Sequence, residues 1–146
     1  LADDGAPLVL HVLQALASGQ AVAKAQASEG ISEAPMLAVS DAKVDWNTSA
    51  VVIDRLIRGV TPAPGAWTTL AGVRLRLGPV ELVDAPQLEP GEVLASKRQV
   101  LVGTADGVVA LGQVAPAGKK WMDAAAWARG ARLAEHTVLG QEVEAN

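Results

Sequence analysis

The stretch Val73-Arg74-Leu75-Arg76-Leu77 alternates without a break. A strand turns successive side chains to opposite faces, so this pattern puts the apolar residues on one face and both arginines on the other. Similar short apolar runs follow, and turn signals separate them. Ala71-Gly72 ends the run from Trp67, Gly78-Pro79 precedes Val80–Ala85, and Pro90-Gly91 precedes Glu92–Ser96. Ala105-Asp106-Gly107 separates Gln99–Thr104 from Val108–Val114, and Asp-Gly is a strong hairpin signal. Short strands at regular spacing predict a small sandwich or barrel. The expected fold class is mainly β: an OB-like small barrel with a preceding helix and a short C-terminal helix.

Two helices frame the strands. In Val44–Val60, the residues Ile53, Leu56, Ile57 and Val60 recur at helical spacing, with Asn47 or Thr48 as the expected cap. Gly59 and the Thr61–Ala66 segment, with two prolines, end it. At the other end, Asp123 is placed to cap Ala124–Ala134. Residues 5–18 predict another helix, with an apolar stripe that includes Leu8, Leu13 and Leu16. Between it and Lys43 the periodicity disappears into an Ala-, Ser-, Gly- and Glu-rich stretch. A structureless segment of that length is uncommon inside a compact domain. The expected organisation is therefore residues 1–20 as the end of one domain, 21–43 as a linker and 44–146 as a β domain.

The apolar half of the composition comes from Ala, Val, Leu and four Trp, with no Phe, Tyr or Cys. A core of such small side chains needs close backbone approach. The absence of Cys excludes a disulfide framework and thiolate metal or redox chemistry. No apolar run approaches the roughly 18 residues of a membrane span. The chain opens on Leu1-Ala2-Asp3-Asp4, without a starting Met or a basic n-region, and is expected to be a fragment without a signal peptide.

The net charge of −4 conceals an uneven distribution. Residues 1–42 hold five carboxylates against Lys24 alone, whereas residues 43–132 hold eleven Lys and Arg against eight Asp and Glu. A mildly basic body suits phosphate contact, although a surface of this charge is also ordinary for a solvated domain.

Ala115-Pro116-Ala117-Gly118-Lys119-Lys120 superficially resembles a phosphate loop. Gly112 is one residue too far from Gly118 for the G-x-x-x-x-G-K-[ST] spacing, and Lys120 offers no hydroxyl to Mg²⁺, so the nucleotide-loop reading fails. What remains is a pair of adjacent ammonium groups on a turn. His11 and His136 lie far apart, and no G-x-S-x-G, metal-ligand spacing or dinucleotide fingerprint is present. No catalytic residue is assigned. The candidates for nucleic-acid contact are Lys119, Lys120, Arg74, Arg76, Lys97 and Arg98, with Arg129 and Arg132 nearby in the chain. With four Trp and no other aromatic, base stacking is not expected to dominate, and contacts to the phosphates of a structured RNA suit these residues better.

Val44-Asp45-Trp46, a helix ending Ile57-Arg58 and then Pro62-Ala63-Pro64-Gly65-Ala66-Trp67 resemble the opening of the C-terminal domain of methionyl-tRNA formyltransferases. Ala117-Gly118-Lys119-Lys120 followed by Met122 is similar to its closing signature, and Pro90-Gly91 and Asp106-Gly107 stand where that family has strand-joining turns. The resemblance covers about residues 36–133, and residues 1–20 are similar to the last helix of the family's catalytic domain. It implies a parent enzyme, cytoplasmic and metal-free, that transfers a formyl group from 10-formyltetrahydrofolate to the amino group of methionyl-initiator tRNA in translation initiation. It places the catalytic Asn, His and Asp and the folate pocket on a missing N-terminal domain, so the chain alone is expected to be inactive. It assigns tRNA contact first to Lys119 and Lys120 and leaves Arg58 equally a brace. Where the family commonly carries Ala-x-Lys-Ile, this chain has Ala34-Pro35-Met36-Leu37, so a linker lysine is missing. The alternative is the structural C-terminal domain of another folate-dependent formyltransferase, of the sugar-nucleotide or aldehyde-dehydrogenase type.

Overall fold

A computed structural model of the chain describes residues 2–141. It forms two compact units, one up to Pro35 and one from Met36 onward. The first contains helix α1 (Ala2–Ala17), on which Leu8, Leu10, Leu13 and Leu16 are exposed. Gly19, at φ +69°, follows its end, as a C′ glycine does. His11 is also exposed.

The second unit begins with a 3₁₀ turn at Ser40–Ala42 and continues through helix α2 (Ala50–Gly59). Strands β1 (Trp67–Leu70), β2 (Val73–Leu77), β3 (Val80–Val83), β4 (Val93–Ala95), β5 (Val100–Gly103), β6 (Val108–Leu111), β7 (Gln113–Pro116) and β8 (Met122–Asp123) follow, and helix α3 (Ala124–Ala131) comes last. The expectation of a mainly β unit with a preceding and a C-terminal helix holds. The strands pair as two four-stranded antiparallel sheets, β1-β2-β7-β8 and β3-β6-β5-β4. These pairings do not by themselves amount to one closed barrel.

Two glycines explain how one run of chain serves both sheets. β2 pairs with β7 in the first sheet, and their continuations β3 and β6 pair in the second. The two-stranded ribbon therefore turns a corner at Gly78-Pro79 opposite Gly112. The Gly78 N–H donates to the Gln113 carbonyl at 2.8 Å. A Cβ on Gly78 would sit 3.1 Å from that oxygen, and one on Gly112 would sit 3.0 Å from the Pro79 carbonyl. Glycine permits this approach, as it does at strand corners generally. The apolar run Val108–Val114, read as one strand, is thus β6 and β7 joined at the corner.

The core lies between the sheets and under the helices. Ile53 and Ile57 of α2, Leu75 and Leu77 of β2, Val100 and Val102 of β5, and Val109 and Val114 are buried together. α3 contributes Ala124, Ala125 and Ala128 around Trp127, and its small residues let it pack on β5, β7 and β8. The buried Trp46 donates its indole N–H to the Thr68 hydroxyl at 3.0 Å, which satisfies both polar groups.

α2 starts later than its sequence pattern suggests. Its cap is Ser49, whose hydroxyl accepts from the Val52 N–H, rather than Asn47 or Thr48. Upstream, the Val44 N–H donates to the Trp67 carbonyl, and Asp45 accepts from both the backbone and the side chain of Asn47. These contacts hold Val44–Asn47 in a non-helical conformation.

A segment near the end joins the outer strands of both sheets. Leu139 bridges to Leu70 beside β1, and Val138 bridges to Glu92 beside β4. The Val93 N–H donates to the Thr137 carbonyl, and the Gly140 N–H donates to the Thr69 carbonyl, each at 2.8 Å. These hydrogen bonds pair part of the backbone along the two edges, which blunts their tendency to recruit another strand.

Candidate nucleic-acid interface

The alternation of β2 holds at four of its five positions: Leu75 and Leu77 are buried and Arg74 and Arg76 exposed, but Val73, expected on the apolar face, is exposed at the start of the strand. Register then decides what the arginines meet. Trp67 pairs with Arg76 and Thr69 with Arg74 across β1–β2, so Trp67 stands diagonal to Arg74. The Arg74 guanidinium lies 4.0 Å from the centroid of the Trp67 ring, and the Lys43 ammonium lies 5.6 Å from the same centroid. The Trp67 indole N–H is anchored to the Val39 carbonyl at 2.7 Å. On the other flank, the Arg76 guanidinium lies 5.0 Å from the centroid of Trp121, which is 45% exposed. Cation–π contact of this kind is worth about 0.5–1 kcal/mol when exposed. It also holds each cation near the sheet surface.

Lys119 and Lys120 occupy the turn between β7 and β8, both exposed. Gly118 takes φ +70° there, and the Lys119 N–H closes the turn onto the Pro116 carbonyl at 2.9 Å. β8, a strand of two residues, follows this turn before the last helix. Because Pro116 pairs with Leu75, the lysine turn emerges at the end of the sheet where Arg74 lies. Four of the six candidates, Arg74, Arg76, Lys119 and Lys120, thus belong to one sheet.

Lys97 and Arg98 lie elsewhere, in the β4–β5 turn of the second sheet. The Ser96 hydroxyl accepts from the Arg98 and Gln99 N–H groups and shapes that turn. Arg129 of α3 donates to the Lys97 carbonyl at 3.0 Å, and a shallow depression there is lined by Lys97, Arg129 and Arg132. This is a second cationic patch, set on a different support. Arg58 forms an ion pair with Asp54 at 3.0 Å along α2.

The residues missed in the sequence reading are Lys43, Trp67 and Trp121 as parts of the basic face. The proximity of Lys43 to Trp67 comes from a bridge between residues distant in sequence. Nothing local distinguishes the half-buried Trp67 and exposed Trp121 from the core tryptophans Trp46 and Trp127. Among the described residues there is no group of three or more acidic or imidazole side chains fit to hold a metal ion, and no helix is long and apolar enough to cross a membrane.

Residues 36–132 match the family described as formyl transferase, C-terminal domain. The chain belongs to that family. This formyl transferase C-terminal domain is 50% identical over 143 residues to methionyl-tRNA formyltransferase of Thermobifida fusca, covering 97% of this chain and 46% of that protein. It is 51% identical over 143 residues to methionyl-tRNA formyltransferase of a Nocardioides species, covering 96% of this chain and 45% of that protein. The chain therefore spans somewhat under half the length of these relatives. Among solved structures, a variant of HypX from Aquifex aeolicus superposes with a TM-score of 0.61 at 22% identity, covering 87% of this chain and 23% of that one. That likeness establishes the fold of the formyl transferase C-terminal domain.

Proposed function

We propose that the chain is the C-terminal, tRNA-binding part of a methionyl-tRNA formyltransferase. The whole enzyme would transfer a formyl group from 10-formyltetrahydrofolate to the amino group of methionyl-initiator tRNA in the cytoplasm. In this reading residues 1–20 close a catalytic domain that carries the reacting residues and the folate pocket, 21–43 link the two, and 44–146 form the tRNA-binding domain. The chain alone catalyses nothing. Its work is to hold the body of the tRNA so that the aminoacyl end reaches the catalytic domain, which is positioning catalysis at a distance.

The observation that carries this reading is the outer face of the first sheet. Arg74 and Arg76 are stacked on Trp67 and Trp121, and Lys119 and Lys120 project from the adjoining turn. Cations on a rigid sheet suit the sugar-phosphate backbone of a folded RNA, which is recognised by shape and charge more than by sequence. Lys97 and Arg98 supply a second contact point from the other sheet. The test is a titration with an initiator and an elongator tRNA across a salt series, beside a Lys119→Glu/Lys120→Glu variant. Similar affinity for both tRNAs, a steep fall with salt and loss of binding in the variant are expected. No salt-sensitive binding even at low ionic strength would leave the domain as a brace for the catalytic domain.

A further inference from the structure

Beside Arg76 the first sheet borders a cavity of about 270 Å³. Pro62, Pro64 and Pro79 form rigid walls, and Arg76, Gln113 and Trp121 complete the lining. The Thr61 hydroxyl at its edge is already committed, donating to the Ile57 carbonyl at 2.6 Å. The Gln113 carboxamide, by contrast, is exposed and makes no hydrogen bond with any described residue. Trp121 is large, apolar and nearly half exposed, although most aromatic side chains bury themselves.

We infer that this cavity takes one unpaired nucleotide of the bound tRNA. The inference rests on the tRNA reading above and extends it from phosphate contact to a base-binding site. Three of the lining groups, Trp121, Gln113 and Arg76, each match one part of a nucleotide. The indole is a stacking surface that every base can use, on the side of the ring away from the Arg76 guanidinium or in exchange with it. The free carboxamide carries two N–H donors and a carbonyl acceptor, which together can pair with a base edge. The guanidinium of Arg76 supplies the cation for the attached phosphate. The volume lies just below the roughly 300–1,000 Å³ of sites for drug-sized ligands, so it suits one ring system. Arg76 both lines the cavity and lies two residues from Arg74 on the same face of β2, so a strand tracking these arginines passes the cavity.

The test uses the intact chain and two variants, Trp121→Leu and Gln113→Ala, each first checked for an unchanged unfolding midpoint. The probes are 5′-AMP, followed by tryptophan fluorescence, and initiator tRNA across a salt series. The expected result is saturable quenching of Trp121 by millimolar AMP, with Gln113→Ala raising the half-saturating concentration about threefold; Trp121→Leu, which removes the reporter, is read through tRNA binding. Trp121→Leu should weaken tRNA binding about tenfold with the salt slope unchanged, because a stacked base releases no counterions. Absence of AMP quenching in the parent chain overturns the inference even if tRNA binds with a steep salt dependence. AMP binding with tRNA affinity unaffected by Trp121→Leu overturns the assignment to tRNA and makes the ligand a free nucleotide. AMP binding by a chain that binds no tRNA at any salt overturns the tRNA reading and with it the assignment of the cavity to tRNA, leaving a site for a free nucleotide.

Discussion

Arg74 holds its guanidinium 4.0 Å from the centroid of the Trp67 ring, across the β1–β2 hairpin. Stacking on an indole orients a guanidinium in a way that an ammonium cannot reproduce. Arg74→Lys should therefore weaken tRNA binding several-fold despite keeping the charge. Arg74→Ala should remove about one phosphate contact and flatten the logarithmic salt slope by about one unit. Equilibrium binding at four or five salt concentrations measures both. An unaltered slope in Arg74→Ala would remove this residue from the interface.

Asp106 links the β5–β6 turn to the start of α2. Its Oδ1 accepts from the Ala50 N–H at 2.9 Å, one of the donors a helix leaves unpaired at its first turn. Asp106→Ala should cost about 1–2 kcal/mol, read as a lowered denaturant midpoint with an unchanged slope. Asp106→Asn keeps the accepting oxygen and should recover more than half of that loss.

Two glycine substitutions should act in opposite directions. A Cβ on Gly103 would press on the Glu89 carbonyl oxygen and lie 2.7 Å from that of Leu88, both backbone atoms with little freedom to withdraw. Gly103→Ala should destabilise the domain by about 3 kcal/mol. Gly130, within α3, has open space around its Cβ direction, and Ala is the better helix former. Gly130→Ala should stabilise by up to about 1 kcal/mol. Thermal unfolding of the pair provides an internal control.

Glu92 gives the strap near the chain end a dependence on acid. Its carboxylate accepts from the Glu89 N–H at 3.1 Å and meets His136 Nδ1 at 3.2 Å. The Glu89 N–H, and then His136, hold the carboxyl below the ordinary glutamate range. A carboxyl lowered in the folded state adds stability above its unfolded pKa of about 4.3, and that stability is lost as pH falls through the folded value. The gap in unfolding midpoint between the parent and Glu92→Gln should close as pH falls from about 5 to below about 4. A gap that widens in acid would contradict the assignment. His136→Ala should have the smaller effect, since the Glu89 N–H is the larger cause.

Local chemistry made several elements legible. The alternation of Val73–Leu77 announced β2 and its outward arginines, Asp106-Gly107 announced a hairpin, and Asp123 caps α3 by accepting from the Ala126 N–H at 2.8 Å. The features that escaped arise from distant pairing. β8 has two residues and exists through its partner β7, and the Thr137–Gly140 strap is defined by strand edges far away in sequence. The start of α2 moved because Val44 is bound to Trp67, a contact that helical periodicity does not encode. For the site, residue type identified the cations, but the assembly of Lys43, Arg74 and Trp67 required the register.

The four tryptophans provide the most direct test of the basic face, since each contributes one indole N–H signal to a proton–nitrogen correlation spectrum. Trp67 and Trp121 carry the stacked arginines, whereas Trp46 and Trp127 are buried in the core. On titration with initiator tRNA at low salt, the account predicts that the Trp67 and Trp121 signals shift together and saturate while those of Trp46 and Trp127 stay in place. Saturable tRNA binding that leaves both Trp67 and Trp121 unmoved would contradict it and place the RNA on another surface.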